Sequence, residues 1–361
     1  MKRINAGYAG WFSDDNTDYC KAVAFCDINK EKLHTLSQQY PHIKMYENFH
    51  EFLKHPGLDA VIISTPNFLH AEQAIAAMEA GKDVFLEKPM GINREECDRI
   101  LAAQKRTGKR FTVDFEMRVS TFPQRIKLLI RSGEYGELKR MEFFHHRGCW
   151  LEQGNGIWRT RPEKSGGLFF METIHEVDIF RFFAGDVESV ISVAGANVLP
   201  QYHFEDNAAA HLFFSNGISG SILTSHTHSA IPLNAQHWQN TAEYHNKMGH
   251  DMSFIFTLTK GSIGANMLTG EIMINRFEEY PRGSGGYRVI QDRIENIIGG
   301  NGMDEVCHDI NKMRHEFLRR SSTDEPPVQD PIDIWKSHLA CLAVEESIKL
   351  KGERVKLNYN L

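Results

Sequence analysis

The sequence predicts an α/β protein in which an N-terminal doubly wound parallel sheet precedes an α+β region with a large open, mostly antiparallel sheet. Three observations carry this prediction. From Lys21 to Met117, strand-like runs alternate with helical stretches of about 10–15 residues, the grammar of right-handed βαβ units. Beyond Met117, strand follows strand, with glycine-containing turns between several of them. At 361 residues the chain can bury two cores, read as a nucleotide-binding domain over 1–118 and a second domain over 119–361.

The elements follow in order. "INAGYAG" reads as a first strand running into a turn. "KAVAFCD" is a short apolar run with aromatic content, and "NKEKLHTLSQQY" carries helix formers. "LDAVIISTP" is a continuous buried-strand pattern, and the amphipathic "NFLHAEQAIAAMEAG" ends on Gly81, as helices often do. "KDVFLEKPMG", "NREECDRILAAQKRTG" and "KRFTVDFEM" repeat the strand–helix–strand sequence. A helix, "TFPQRIKLLIRSG", then leads into the strand-like segments "LKRMEFFHHRG", "VESVISVAGANV", "NAAAHLFFSNGISGSILTSH", "MSFIFTLTKGSIGAN" and "EIMINRF". A helix over 333–351 closes the chain and is expected to pack back on the first domain.

Bulk composition narrows the class. Hydrophobic residues make up 41% and charged residues 24% of the chain, the balance of a soluble globular protein. A formal net charge of −6 leaves no electrostatic footprint for nucleic acid or an anionic membrane. No apolar run approaches the roughly 20 residues that span a bilayer, and the N-terminal stretch lacks a signal-peptide core. The six cysteines contain no CxxC pair, which argues against a disulfide or zinc framework and for a reduced, cytoplasmic setting.

Ligands of an open α/β sheet bind beyond the carboxyl ends of its strands, and three strand ends carry unusual residues. Asp27 ends the second strand 17 residues after Gly10, where an acid accepts hydrogen bonds from an adenosine ribose; it also suits a helix cap. An acid there repels a 2′-phosphate, which favours NAD over NADP. In "STPNFLH", Thr65 and Pro66 stop a strand, Asn67 suits a cap, and His70 sits on the next helix. In "FLEKPMG", Glu87 and Lys88 form a charge pair at the ligand edge, and Pro89 keeps Lys88 extended. A partly buried Lys88 beside a substrate hydroxyl would stabilise a developing alkoxide; the alternative is a surface ion pair.

"SGGLFFMETIHEVDIFRFFAG" reads as one core-facing helix, because Ile174, Val177, Phe180 and Phe183 recur at helical spacing. Glu172, His175 and Asp178 recur every three residues and share another side of it. A histidine flanked by carboxylates suits a general base, or equally a core histidine held by a structural acid. Gly166 and Gly167 would let the chain approach a cofactor closely.

Together, "EKPMG" after a βαβ strand, "STPNFLH" one unit earlier and the "SGGLFFMETIHEVDIFRFFAG" segment resemble the glucose–fructose oxidoreductase/inositol dehydrogenase (Gfo/Idh/MocA) family. The similarity extends to "GEYGELKRMEFF", "EDNAAAHLFFSNGISGSI" and the terminal helix. It implies a Rossmann domain that binds NAD(P) and a C-terminal domain whose open sheet holds a sugar or cyclitol. Lys88 and Pro89 match the lysine and the often cis-linked proline of the family's EKP motif. His175 matches the base that removes a hydroxyl proton as hydride passes to nicotinamide. Cofactor contacts are then expected from Gly7, Gly10, Asp27, Thr65, Pro66, Asn67, His70, Glu87, Lys88 and Pro89. Substrate contacts are expected from Lys88, Trp158, Arg159, Arg161, Glu172 and His175. The family's aspartate four residues before the histidine is replaced here by Met171, leaving Glu172 to orient His175, while Asp178 matches a trailing aspartate. The resemblance also implies a homodimer or homotetramer. No metal is expected: His226 and His228 share a strand face, and His145 and His146 are neighbours, without a third ligand in evident reach.

The opening departs from the family after Gly10. Gly7 and Gly10 match the strand glycine and the first phosphate-loop glycine. Trp11 and "SDDNTD" then offer bulk and like charge where a second glycine and a helix N-terminus would meet the pyrophosphate. Ten residues, Trp11 to Cys20, are too few for a loop and a full helix. Either the sequence joins across an omitted segment, which the intact downstream register favours, or the phosphate cradle is lost and NAD affinity suffers. Two other functions fit the same motifs: an NAD-retaining glycosidase working by transient oxidation and elimination, and a ligand-sensing protein without catalysis.

Overall fold

The computed structural model describes residues 2–148, 158–229, 251–267, 269–297 and 306–360. Six strands, β1 (Ile4–Ala9), β2 (Cys20–Cys26), β3 (Lys44–Tyr46), β4 (Ala60–Ile63), β5 (Asp83–Leu86) and β6 (Phe111–Val113), form a parallel sheet in the order β3-β2-β1-β4-β5-β6. The strand order reverses between β1 and β4, which opens a crevice at their carboxyl ends. Ala60–Ile63 is buried throughout, as expected of a strand covered on both faces. The helices α1 (Lys30–Gln39), α2 (Phe49–Leu53), α3 (Asn67–Glu79) and α4 (Arg94–Thr107) connect the strands. Asn29, Asn48 and Asn93 cap three of them through their side chains, and Gly108, with φ 64°, ends α4 in the left-handed region.

The first crossover contains no helix. Residues 10–19 instead form a packed loop between β1 and β2. Phe12 inserts between Tyr8, Phe25 and Tyr40, with ring centroids 5.6, 5.5 and 4.9 Å away. The uncovered sheet face is closed by α9 (Ile310–Ser321), whose Met313, Phe317 and Leu318 join Ile4, Ala6, Tyr8 and Phe85 in one core cluster. The loop is tied to this helix by Asp15, which is buried, lies 2.7 Å from Arg314 Nε and accepts a hydrogen bond from Tyr8. Burial alone pushes the Asp15 carboxyl up, but Arg314, Tyr8 and Ser13 outweigh it and hold it below the ordinary carboxylate range. The acidic "SDD" thus has a structural partner, and the loop is an integrated part of the fold. Replacing Arg314 with Met leaves that carboxylate buried without its guanidinium. The expected loss is about 3–5 kcal/mol of unfolding free energy, read from the denaturation midpoint; an unchanged midpoint contradicts this packing.

The second sheet has nine strands: β7 (Leu138–Gly148), β8 (Val187–Ala194), β9 (Asn207–Phe214), β10 (Ser219–Ser229), β11 (Asp251–Leu258), β12 (Gly261–Asn266), β13 (Glu271–Glu279), β14 (Tyr287–Asn296) and β15 (Val355–Lys356), in the order β14-β13-β12-β11-β7-β10-β9-β8-β15. All neighbours are antiparallel except β7 and β10. Strand alternation separates its faces. Ile222, Phe254 and Phe256 are buried, while Leu223, Ile255 and Met273 are exposed on the other side.

The helices α5 (Thr121–Arg131), α6 (Pro162–Ser165), α7 (Leu168–Met171), α8 (Ile174–Ala184) and α10 (Pro331–Lys349) complete the described elements. Phe180 and Phe183 of α8 pack on Phe254 and Phe256 of the sheet. α10 touches both halves: Trp335 Nε1 donates to Asp98 of α4 at 2.6 Å, and Phe169 N donates to Glu345 Oε1 at 2.7 Å.

Several elements differ from the sequence reading. The strands β3, β14 and β15 and the helices α2 and α9 were not predicted. The single helix expected through residues 165–185 is two, α7 and α8, broken at Glu172–Thr173. The break has a local cause: the Met171 carbonyl accepts Lys88 Nζ at 2.7 Å instead of continuing a helical ladder. Glu172 therefore does not share a helix face with His175 and Asp178. Asp178 turns away to Arg118, 2.6 Å distant, and to Ser337. Gly166 and Gly167 serve packing rather than cofactor approach. A Cβ on Gly166 would stand 2.9 Å from Phe170, and one on Gly167 would stand 2.7 Å from Glu345 Oε2.

Candidate active site

A cavity of about 420 Å³ lies where the carboxyl ends of β4, β5 and β6 meet α7, α8 and the segment before α9. Lys88 and His175, from opposite halves of the chain, both line it, together with Glu87, Glu116, Glu172 and His308. Lys88 follows β5 and precedes a cis bond to Pro89. Burial lowers its pKa, while Glu172, Glu87 and Glu116 act in the opposite direction. The main chain beyond it is clamped twice. His70, fully buried, places its two ring nitrogens 2.6 Å from Pro89 O and 2.7 Å from Thr65 O. Met90 N donates to His338 Nε2 at 2.7 Å, which fixes that ring as the Nδ1–H tautomer bonded to Ile334 O. Burial holds His338 down at about 4, so it stays a neutral acceptor at physiological pH.

His175 stands at the start of α8. Burial lowers its pKa most, Glu116 opposes, and Lys88 and His308 lower it further, to about 3. It is therefore a neutral imidazole at pH 7, the form a base requires. Glu116, in the 3₁₀ turn after β6, reaches His175 Nδ1 with Oε2 at 3.4 Å and accepts His308 Nδ1 with Oε1 at 2.5 Å. Glu172 sits in the same cavity, within 4.0 Å of His226 Nε2. Burial pushes the Glu87 and Asp114 carboxyls up, and the neighbouring Glu116 carboxylate acts in the same direction on both.

The remaining expected residues divide. Thr65, Asn67, Trp158 and Arg159 line the cavity, with the Arg159 guanidinium 4.5 Å over the Trp158 ring. Pro66 is the N-cap of α3, and Arg161 is the N-cap of α6 and is not among the cavity residues. Gly7 makes room for α2, since a Cβ there would stand 2.6 Å from Phe52. Glu116, Asp114 and His308 were missed. "DFEM" was read only as a strand, and His308 lies far away in sequence, so no spacing signal joins them. Glu116, His175 and His308 also place ligand-type atoms within 4.8 Å of one another, a grouping distinct from the histidines weighed from sequence. Of those, the His228 side chain lies outside the described residues.

The crevice fits a dinucleotide unevenly. Its inner end, walled by Ser64, Thr65, Glu87 and Lys88, suits a nicotinamide group at the switch point. At its outer end Gly10 keeps the left-handed conformation, φ 89°, but no helix N-terminus follows. Trp11 stands there under Arg314, 4.9 Å from the ring. Asp27 accepts Lys32 Nζ at 2.7 Å and Asn29 N at 2.9 Å, and Lys32 also donates to Gly10 O. Asp27→Ala is expected to free Lys32 for a 2′-phosphate and raise NADPH affinity relative to NADH by roughly tenfold, the size of one charge-assisted hydrogen bond. Fluorescence titration of the reduced cofactors checks this; an unchanged ratio contradicts it.

Comparison with known proteins matches this geometry. Residues 4–115 match the oxidoreductase family with an NAD-binding Rossmann fold, and residues 124–263 match the GFO/IDH/MocA C-terminal domain. The chain belongs to the Gfo/Idh/MocA family. Its N-terminal sheet is that family's NAD-binding Rossmann fold. Within the family, the chain is 30% identical over 217 residues to a scyllo-inositol 2-dehydrogenase (NAD(+)) of Bacillus subtilis, covering 57% of this chain and 60% of that protein. It is 30% identical over 206 residues to a 1-carboxy-3-chloro-3,4-dihydroxycyclohexa-1,5-diene dehydrogenase of Comamonas testosteroni, covering 56% and 51%. The matched part thus spans about half the length of these curated relatives. A levoglucosan dehydrogenase solved with NADH and L-sorbose shares the fold, with TM-score 0.75 over 99% of this chain and 100% of that one, at 19% identity. Among the described residues no helix is long and apolar enough to cross a membrane.

Proposed function

We propose that this chain is an NAD-dependent dehydrogenase that oxidises a secondary alcohol of a sugar, amino sugar or cyclitol. The observation that carries the reading is the convergence of Lys88 and His175, from the two halves of the chain, on one cavity at the switch point of the Rossmann sheet. NAD, when bound, supplies the hydride acceptor. His175, neutral at pH 7, takes the hydroxyl proton on the ring nitrogen away from Glu116. Lys88, anchored by Met171 O, turns its remaining N–H donors to the alcohol oxygen and stabilises its developing negative charge. Trp158 and Arg159 bound the substrate side. The polar walls suit a polyhydroxylated ring, and the inositol 2-dehydrogenases among the relatives favour that substrate class.

A panel of sugars and cyclitols tests the reading, with NAD reduction followed by absorbance. Net NADH formation from one member supports it. Aglycone release from a glycoside without net NADH would assign the transient-oxidation glycosidase instead. No reaction, with no cofactor effect on the melting temperature, would assign a sensor. The exposed sheet face bearing Leu223, Ile255 and Met273 supports a homodimer or homotetramer, and light scattering that gives a monomer mass excludes it.

A further inference from the structure

The family's orienting aspartate is absent from position 171, and a base whose ring is free to rotate loses its tautomer and its aim. The cavity contains a carboxylate from an unexpected place. Glu116 comes from the 3₁₀ turn that follows the last strand of the Rossmann sheet rather than from α7, and its two oxygens face two different imidazoles. Oε2 lies 3.4 Å from His175 Nδ1, a nitrogen that is buried and makes no hydrogen bond at that distance. Oε1 accepts His308 Nδ1 at 2.5 Å. The side chains of Glu116, His175 and His308 are 3%, 11% and 20% exposed, and all three line the cavity. The two rings stand at 81° to one another with centroids 5.4 Å apart.

We propose that Glu116 and His308 are positioning residues: Glu116 holds the Nδ1–H of His175, and His308 acts on the base through Glu116. This rests on the assignment of His175 as base and adds the residues that aim and tune it. The proton taken from the substrate hydroxyl resides on Nε2 of His175, while the Nδ1 proton stays on that ring and is donated to Glu116 Oε2. Apo catalytic hydrogen bonds are commonly long and tighten in the loaded site, which accounts for 3.4 Å. The groups facing His308 are Glu116 from the 3₁₀ turn, His175 and Glu176 from α8, and Lys88 after β5. Burial lowers the His308 pKa, but the Glu116 carboxylate more than offsets it, so His308 stays charged above the ordinary histidine value. A charged His308 opposes a second positive charge on His175. Loss of its proton leaves Glu116 free to stabilise that charge, so turnover rises with pH through the His308 ionisation.

The test uses full-length protein with NAD and the best substrate of the panel. E116Q keeps the shape and is expected to lower kcat on the order of a hundredfold with little change in KM. H308Q is expected to remove the upward step from the kcat–pH profile. Nitrogen-edited histidine spectra, assigned with H175A, should show His175 as the Nδ1–H tautomer in the wild type and not in E116Q, a readout independent of turnover. An Nε2–H tautomer in the wild type, or a step that persists in H308Q, overturns the proposal. Wild-type-like kcat in E116Q alongside a dead H175A overturns it alone; an active H175A overturns the base assignment first.

Discussion

His175→Ala is expected to lower turnover on the order of a thousandfold while NADH still binds and quenches or enhances protein fluorescence as in the wild type. The physical basis is the state of the ring. Burial takes His175 down to about 3, so the neutral, proton-accepting form persists far below the ordinary value of 6.5. A base with a depressed pKa is active above that pKa, so the acid limb of the rate profile assigned to His175 does not sit near 6.5. The alanine variant retains the core contact of Phe115, whose ring lies 6.1 Å from that of His175, and the fold is expected to survive. An acid limb at the ordinary histidine value that persists when His308 is replaced with Gln would contradict the neutral, buried state of His175. Unchanged turnover would remove His175 from the chemistry.

Lys88→Met is expected to cost a further large factor, about 10²–10³ in kcat, the usual effect of removing one preorganised donor from a developing oxyanion. Methionine keeps most of the stem's packing and deletes the ammonium. The change reaches beyond the reacting oxygen. Met171 O loses its 2.7 Å donor at the break between α7 and α8, and Glu87, Glu116 and Glu172 lose the cation that their carboxylates face. Lys88→Arg is not expected to restore activity, because a planar guanidinium replaces a compact point charge at the end of a constrained segment. Steady-state kinetics with cofactor titration separate the outcomes: a KM effect with kcat intact would reduce Lys88 to a binding residue.

Sequence made the first sheet readable because buried parallel strands leave short, continuous apolar runs such as "AVII", separated by amphipathic helical stretches. It made Lys88 and His175 readable because each lies in a local motif. It left Glu116 and His308 hidden for the opposite reason. Their chemistry is created by tertiary contact between a strand end, the start of α8 and a segment nearly two hundred residues further on, and no periodicity encodes that meeting. The helix break at Glu172 was hidden too, because the competing donor to Met171 O is a lysine from the other half of the chain. The short loop after Gly10 was visible as an anomaly. What it does became clear only with α9 lying against β1 and Arg314 meeting Asp15.

In the proposed reaction, Lys88 and His175 flank a carbinol carbon whose hydride leaves for NAD. The most direct measurement offers substrates of the panel deuterated at each carbinol carbon, with NAD, and analyses the isolated cofactor by mass spectrometry and proton NMR. Deuterium is expected at the nicotinamide ring from one position of one substrate class, and none from the His175→Ala or Lys88→Met variants over the same time. Cofactor shown to bind the wild type, yet free of deuterium after turnover of any substrate, would contradict it.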